Sequence, residues 1–481
     1  MRKCTKIIIG VITFLYLFML SACEDFVDIS TPNFQIVSEN VFADDETAIA
    51  AVTGIYNQLV NADFSKGFQN SVTVLGGMSA DIIEPIKTVH TKYGPFWQNE
   101  ISIMDTPDAL ANLKLWSSAY NIIYLANSVL EGLANSSSIT EPTRYHLQGQ
   151  VLFLRAFTYF YLTNLYGDVP LLLTTDYKSN AHSSRNPTAQ VWEQIATDLD
   201  KAILFLEEVV DYPSEKRTRV NQFTVMALRA RVYLYQENWI KAEELSSQVI
   251  SQTGTYEILN DLDQVFLANS HEAIWQISPV GRVGGRTTFE ASIFIRYSII
   301  PGVLVVGDVR LSKDFIEEME VADKRQIHWV GEEVNKSGEI ANYYSYKYKT
   351  YYAPEQDIPE YSMVLRFAEQ YLIRAEARAM QNKLSEAITD VDKLRQRAGV
   401  VLLADTNPGI GKEALLYEIM KERKKELFAE WGHRWMDLKR TRKASEILSP
   451  IKPLWQNTDI WYPIPEEERV KNPNLTQNGG Y

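Results

Sequence analysis

The carboxylates whose spacing most suggests chemistry lie near the C-terminus. Glu422, Glu426, Glu430 and Asp437 recur at helical intervals, with Arg423 and Arg434 among them. Two carboxyls on one surface are what acid/base cleavage of a glycosidic bond requires. The neighbouring cations argue against it here. An arginine beside a carboxylate holds it ionised and removes the proton donor. These residues are expected instead to lock a helix to its neighbours through buried ion pairs, with Glu430 and Arg434 spaced for an i,i+4 contact. No other catalytic set emerges. The six histidines, at 90, 146, 182, 271, 328 and 433, show no metal-ligand spacing. There is no G-x-S-x-G. The glycines at 281, 284 and 285 follow Pro279 and open no helix, and Gly409-Ile-Gly411-Lys412 lacks the spacing of a phosphate loop. Asp168, between Gly167 and Pro170, reads as a turn residue at a helix stop. The chain is expected to be no enzyme and to use no metal or cofactor.

Two other sets suit binding. Tyr93, Phe96 and Trp97 stand beside Gln98 and Asn99, with Asp81 upstream. Flat rings accept the apolar faces of a sugar, while amides and an acid exchange hydrogen bonds with its hydroxyls. Gly94 and Pro95 mark the whole region from Phe64 to Asp105 as non-helical. The second set, in Val280 to Ser298, holds Arg282, Arg286, Phe289, Phe294, Arg296 and Tyr297. Its guanidiniums suit uronates, sulfated sugars or peptide carboxylates. The candidate ligand contacts are Asp81, Tyr93, Phe96, Trp97, Asn99, Arg286, Arg296 and Tyr297. The structural alternatives are that Trp97 plugs the core beneath its loop and that the arginines offset an acidic surface. A net charge of −13 argues against nucleic acid, whose phosphates demand basic patches.

Cys23 poses a separate question of chemistry. Arg2, Lys3 and Lys6 precede an apolar run from Ile7 to Leu20, too short for a comfortable bilayer span. Residues 1–22 read as a signal peptide. Leu20-Ser-Ala-Cys23 resembles a bacterial lipobox, so cleavage before Cys23 and acylation of its sulfur and new amino group are expected. Cys4 leaves with the leader, so no intramolecular disulfide can form. A polar stretch from Glu24 to Asn33 then serves as a tether. No other stretch is apolar and long enough to span, so the membrane is reached by the lipid anchor only.

The elements that must position these residues are mostly helices. Helical periodicity runs through Thr47 to Val60, Leu110 to Leu133, Pro142 to Tyr166, Pro187 to Val209, Gln222 to Gln236 and Trp239 to Ser251. It returns at Ser362 to Met380, Lys383 to Arg397 and Lys412 to Arg442. Residues 266–361 are rich in glycine, with beta-prone runs at Ala273 to Ile277 and Tyr343 to Tyr352, and read as loops with short strands. Trp329 there reads as framework. The end, from Pro450 to Tyr481, reads as ordered but irregular.

An internal repeat sharpens this picture. Leu228-Arg229-Ala230 is followed by Gln236, Trp239 and Ala242; Ile373-Arg374-Ala375 is followed at the same spacings by Gln381, Leu384 and Ala387. Small residues allow two antiparallel helices to approach closely, and Trp239 or Leu384 plugs the pair. That is the logic of a tetratricopeptide unit. Leu154-Arg155-Ala156 opens a third, looser example, whose partner helix arrives only near Trp192. The fold expected is mainly all-α, a tetratricopeptide-like superhelix with loop-rich insertions.

Four segments in order, LRAFTYFYLTNLYGDVP (154–170), LRFAEQYLIRAEA (365–377), ERKKELFAEWGHRWMDLKR (422–440) and YPIP (462–465) with NPNLTQNGGY (472–481), resemble the SusD/RagB family of Bacteroidetes outer-membrane lipoproteins. The likeness covers essentially the whole mature chain and includes the lipobox. It implies one SusD-like domain over 23–481: a helical part over about 35–265, a loop-rich insertion over about 266–361, and a helical part with its tail over about 362–481. It also implies a cell-surface lid, without chemistry of its own, that captures oligosaccharide or polysaccharide for a SusC-like TonB-dependent barrel transporter. Family members also tend to place ligand contacts in the region around Trp97. A peptide-capturing lid, a helical-repeat envelope scaffold without a nutrient ligand, and a lipid-anchored glycosidase are the competing readings.

Overall fold

The computed structural model describes residues 41–86, 92–282, 287–295, 309–335, 337–351 and 358–481. Cys23 with its leader and tether, and Arg286, Arg296 and Tyr297, lie outside the described residues. The principal helices are α1 (Asp45–Leu59), α2 (Tyr93–Gln98), α3 (Pro107–Asn135), α4 (Glu141–Tyr166), α5 (Thr188–Phe205), α6 (Gln222–Tyr235), α7 (Trp239–Ile250), α8 (Phe289–Phe294), α9 (Phe367–Met380), α10 (Leu384–Ala398), α11 (Lys412–Glu426) and α12 (His433–Arg440). The architecture is mainly α-helical and tetratricopeptide-like, as the repeat implies.

The repeat explains the pairing. α6 turns into α7, and α9 into α10, through three-residue connections whose central residues, Glu237 and Asn382, both hold the left-handed conformation (φ 57° and 61°). Trp239 packs against a cluster of Ala230, Leu234, Ala242, Ile373 and Ala377. Leu384 takes the equivalent place beside Ala375, Ala379 and Ala387. The small residues bring the backbones close, and the large one fills the gap. Arg374 reaches across its own pair to Asp390 at 2.7 Å. Arg155, of the looser repeat, reaches Asp198 on α5 through two bonds of 2.8 Å, so α5 is the late partner of α4. Asp168 stands in the connecting loop. Its carboxylate accepts from the Thr188 N–H and hydroxyl at 2.8 and 2.7 Å and so holds the start of α5.

Strands join what the helices leave apart. β1 (Ile83–Pro85), β3 (Val309–Leu311), β5 (Ile340–Ser345) and β4 (Val330–Val334) form an antiparallel sheet in that order. β2 (Ala273–Ile277) pairs with β6 (Ser362–Arg366). β1 comes from the region Phe64 to Asp105 and its neighbours in the sheet from the loop-rich stretch 266–361, so the first sheet ties these two inserted regions together. Trp329 is buried framework, its Nε1 donating to the Leu262 carbonyl at 3.0 Å.

Three expectations need correction. Ser362 to Arg366 is a strand, with helix starting only at Phe367. Every residue of that strand is buried, and a short buried apolar run carries no period to separate strand from helix. Lys412 to Arg442 is two helices. Ala429, Trp431 and Gly432 take positive φ between them, where Trp431 Nε1 donates to the Met363 carbonyl at 2.8 Å and Gly432 lies against Val72 and Gly76. The break also cancels the Glu430–Arg434 contact. Finally, Phe64 to Asp105 is not free of helix: it holds a π-helical turn over Val72–Gly76 and the short α2. Pro95 is the third residue of α2, in the first turn, where a backbone N–H has no helical partner to lose.

The tail is ordered through bonds to distant chain. The Tyr462 N–H donates to the Leu165 carbonyl at 2.9 Å. Asn112 donates to the Pro463 carbonyl at 2.8 Å. Asn478 donates to the carbonyls of Tyr166 and Tyr462 at 2.9 and 2.8 Å.

Candidate functional site

Burial divides the first candidate set. Tyr93, Phe96 and Asn99 lie in the interior. The Phe96 ring meets Tyr462 edge-on at 5.4 Å. Asn99 ends α2 with φ 62° and accepts from the Lys452 ammonium at 2.7 Å. Asp81 accepts from Arg434 at 2.8 and 2.9 Å and from Lys424 at 3.0 Å. Burial alone would raise its carboxyl, yet Arg434 and Lys424 hold it well below the usual carboxylate range. Tyr93, Phe96 and Asn99 are supports beneath the surface, a correction to their expected role as contacts, while Asp81, taken up by Arg434 and Lys424, lines a separate cavity. Three-residue spacing puts 93, 96 and 99 on one buried side of α2 and its cap, and a loop reading of the segment hides it. Trp97 is different. It is half-buried, packed on the core on one side and open on the other.

The second set meets the first. Phe68 and Phe289 pair at 5.4 Å between ring centroids. Arg282 lies 3.8 Å from the Phe289 centroid. It donates to the carbonyls of Thr287 and Thr288 and to the Ser292 hydroxyl, the latter two at 3.2 and 3.1 Å. These bonds make Arg282 a strut between Pro279 and α8 rather than a grip on a ligand. Lys92 donates to Gln69 at 2.9 Å, which ties the start of α2 to the same turn. Residues 66–69, α2, Arg282 and 287–289 thus share one junction, backed by the β1–β3 pairing. Lys66, Gly67 and Glu290 belong to it and carried no sequence signal, because the pairing is long-range.

The C-terminal carboxylates are held as the neighbouring arginines imply. Arg325 bonds Asp323 at 2.8 Å and Glu422 at 2.6 Å and also pairs with Glu426. Arg366 bonds Glu272 at 2.6 Å, Glu430 at 2.9 Å and Glu426. Arg397 pairs with Glu272 and Glu426, and Lys347 with Glu430. Burial opposes ionisation of Glu426, but Arg397, Arg366 and Arg325 outweigh it and keep the group well below its ordinary value. Glu430 is likewise buried, yet Arg366 and Lys347 hold it below its ordinary value. Among the described residues, no cluster of His, Cys, Asp and Glu could hold a metal ion.

One further cavity, of about 750 Å³, opens among the ends of α6, α9, α11 and α12. Trp239, Met380, Leu416, Tyr417 and Met420 line it. Its deeper polar groups are engaged with one another: Arg440 spends its donors on Asp437 and Glu376, and Arg434 on Asp81. A ligand rich in hydroxyls would find few free partners on that floor.

Comparison with known proteins agrees with this architecture. A family model described as "Starch-binding associating with outer membrane" matches residues 25–234, and one described as "SusD family" matches residues 325–481. SusD-like protein P25 of Formosa agariphila is 24% identical, over 98% of this chain and 99% of its own. A crystal structure of a SusD superfamily protein from Bacteroides vulgatus superposes with a TM-score of 0.77 at 20% identity, covering 92% of this chain and all of that one. Surface glycan-binding protein A from Bacteroides thetaiotaomicron, in complex with laminarihexaose, gives 0.75 at 21% identity, covering 90% of this chain and 99% of that one. With two models of one family placed in chain order and a relative aligned end to end, the chain belongs to the SusD/RagB family.

Proposed function

We propose that the protein is a cell-surface lipoprotein that captures an oligosaccharide or polysaccharide and passes it unaltered to a SusC-like TonB-dependent barrel in the outer membrane. The observation that carries this reading is the junction of the two inserted regions, which gathers half-exposed rings and polar side chains on one face of a helical frame. The family description as starch-binding and outer-membrane-associated supports it, as does a structural neighbour that holds laminarihexaose. The mature body, 23–481, acts as one domain anchored through an acylated Cys23. Trp97 offers the stacking ring, and Arg286, Arg296 and Tyr297 complete the contacts. The pairing of Glu272, Glu422, Glu426 and Glu430 with cations supports binding without cleavage at that cluster.

Calorimetric titration of soluble residues 24–481 against laminarin, starch, other plant, host and microbial glycans and mixed peptides tests this. Binding to one glycan class, with no shortened product on chromatography, is expected. Trp97→Ala should weaken it about tenfold, the scale of one lost stacking contact. Peptide binding alone would replace this reading with the peptide-capturing one. Silence across every glycan and peptide would leave a scaffold. Isolation of the tagged protein from native outer membranes without a TonB-dependent barrel would remove the transporter step.

A further inference from the structure

Glu290 lies in the seam between the two inserted regions. Its side chain is buried, with 3% of the residue exposed. Oε1 accepts from the Ser362 hydroxyl at the start of β6. Oε2 has no hydrogen-bond partner among the described residues. Beside it is a void of about 10 Å³ lined by Ser65, Lys66, Thr288 and Ser362, room for about one water molecule. The turn of the first region rests directly on this carboxyl. Gly67 takes φ +72°, and a Cβ there would fall 2.2 Å from Glu290 Cδ. The residues next in sequence, Phe68 and Phe289, form the ring pair that joins the regions.

The charged surroundings are mixed. Lys66 reaches the seam from the first region but is engaged with Asp63 at 2.6 Å. Arg282 favours the anion, Glu360 opposes it, and the Tyr348 hydroxyl on the far side is itself pushed up by burial and by Glu290. Burial dominates. It pushes the Glu290 carboxyl from an ordinary 4.5 up to about 7, against the Ser362 bond and Arg282. A buried anion with one oxygen unbonded is costly, and water entry through the adjoining turn is the available relief.

We propose that Glu290 is a positioning residue for the ligand face: uncharged, it holds the Gly67 turn and the Phe68–Phe289 pair together; ionised, it loosens them, so that glycan affinity responds to pH. This rests on the reading of that face as the glycan site. The sign follows from the proton count. The folded seam binds the proton more tightly than the open chain, so its stability is full below about pH 4.5, falls as pH climbs through 7, and is level above.

The test has a readout free of ligand. Amide hydrogen exchange over residues 64–71 and 287–294, corrected for intrinsic rates, is compared at pH 6 and 8. Wild-type protein should exchange at least about threefold faster at pH 8. Glu290→Gln, which keeps the acceptor for Ser362 and cannot ionise, should be slow at both. Ser362→Ala, which removes the side-chain bond that favours the anion, should move the step to higher pH. Equal wild-type protection at both pH values overturns the proposal, as does a step that persists in Glu290→Gln. Laminarin titration at the same pH values then tests the coupling. Weaker binding at pH 8 that becomes level in Glu290→Gln supports it, and binding indifferent to pH overturns it. A pH-responsive seam with no glycan bound at either pH keeps the positioning role and fails the glycan reading alone.

Discussion

Arg366 shows how a single buried residue organises its surroundings. It donates to Glu272, next to β2, and to Glu426 and Glu430, at and just past the end of α11, so it joins two distant stretches of chain. Arg366→Met would leave those buried carboxylates short of a cation, at a cost of about 3–5 kcal/mol. Urea unfolding should show it as a lower midpoint with an unchanged slope. Gly67 is a second such position. Gly67→Ala combines a left-handed backbone with overlap on Glu290 and should cost about 2–4 kcal/mol. The acid side follows from Asp81, Glu426, Glu430 and Asp437, all held low because nearby cations outweigh burial. Groups depressed in this way stabilise the fold above their unfolded values of 3.8 or 4.5, and that stability is lost as pH falls toward their folded values. Thermal melts by circular dichroism should therefore drop steeply below about pH 4.

At the scale of elements, the helix pairs make their own predictions. Trp239→Ala and Leu384→Ala should each cost about 2–4 kcal/mol, because each empties the wedge of one pair. Glu237→Gly should stabilise by up to about 1 kcal/mol, since a glycine relieves the left-handed turn that Glu237 now strains. Both positions were legible in the sequence, because equal spacing of small residues and a plug encodes a helix pair locally. That Glu422, Glu426 and Glu430 end in buried ion pairs was legible, but their partners were not: Arg325, Lys347, Arg366 and Arg397 come from elsewhere in the chain, while Arg423 and Arg434 go to Asp437 and Asp81. β6 was not, since a five-residue buried run lacks a period. Nor was the burial of Tyr93, Phe96 and Asn99, which depends on recognising α2 across a glycine and a proline. The Glu290 seam had no local trace at all: what makes it is the approach of a turn from elsewhere in the chain.

For the whole molecule, the sequence carried class and family order further than it carried the contact surface. Recurrent motifs sit on the frame, while several proposed contacts sit outside the described residues. No described helix is long and apolar enough to cross a membrane. The lipid-anchor reading therefore predicts that Cys23→Ser shifts the protein from the membrane pellet to the soluble fraction. Full retention in the pellet would count against it.

The tail's bonds to Leu165, Tyr166 and Asn112 have a consequence for biogenesis. A chain made from its N-terminus exposes α3 and α4 long before the segment that closes over them exists. Their carbonyls and rings must wait, open to proteases and to other chains, until the last residues arrive. Loss of the 462–478 segment would leave those groups of α3 and α4 uncovered.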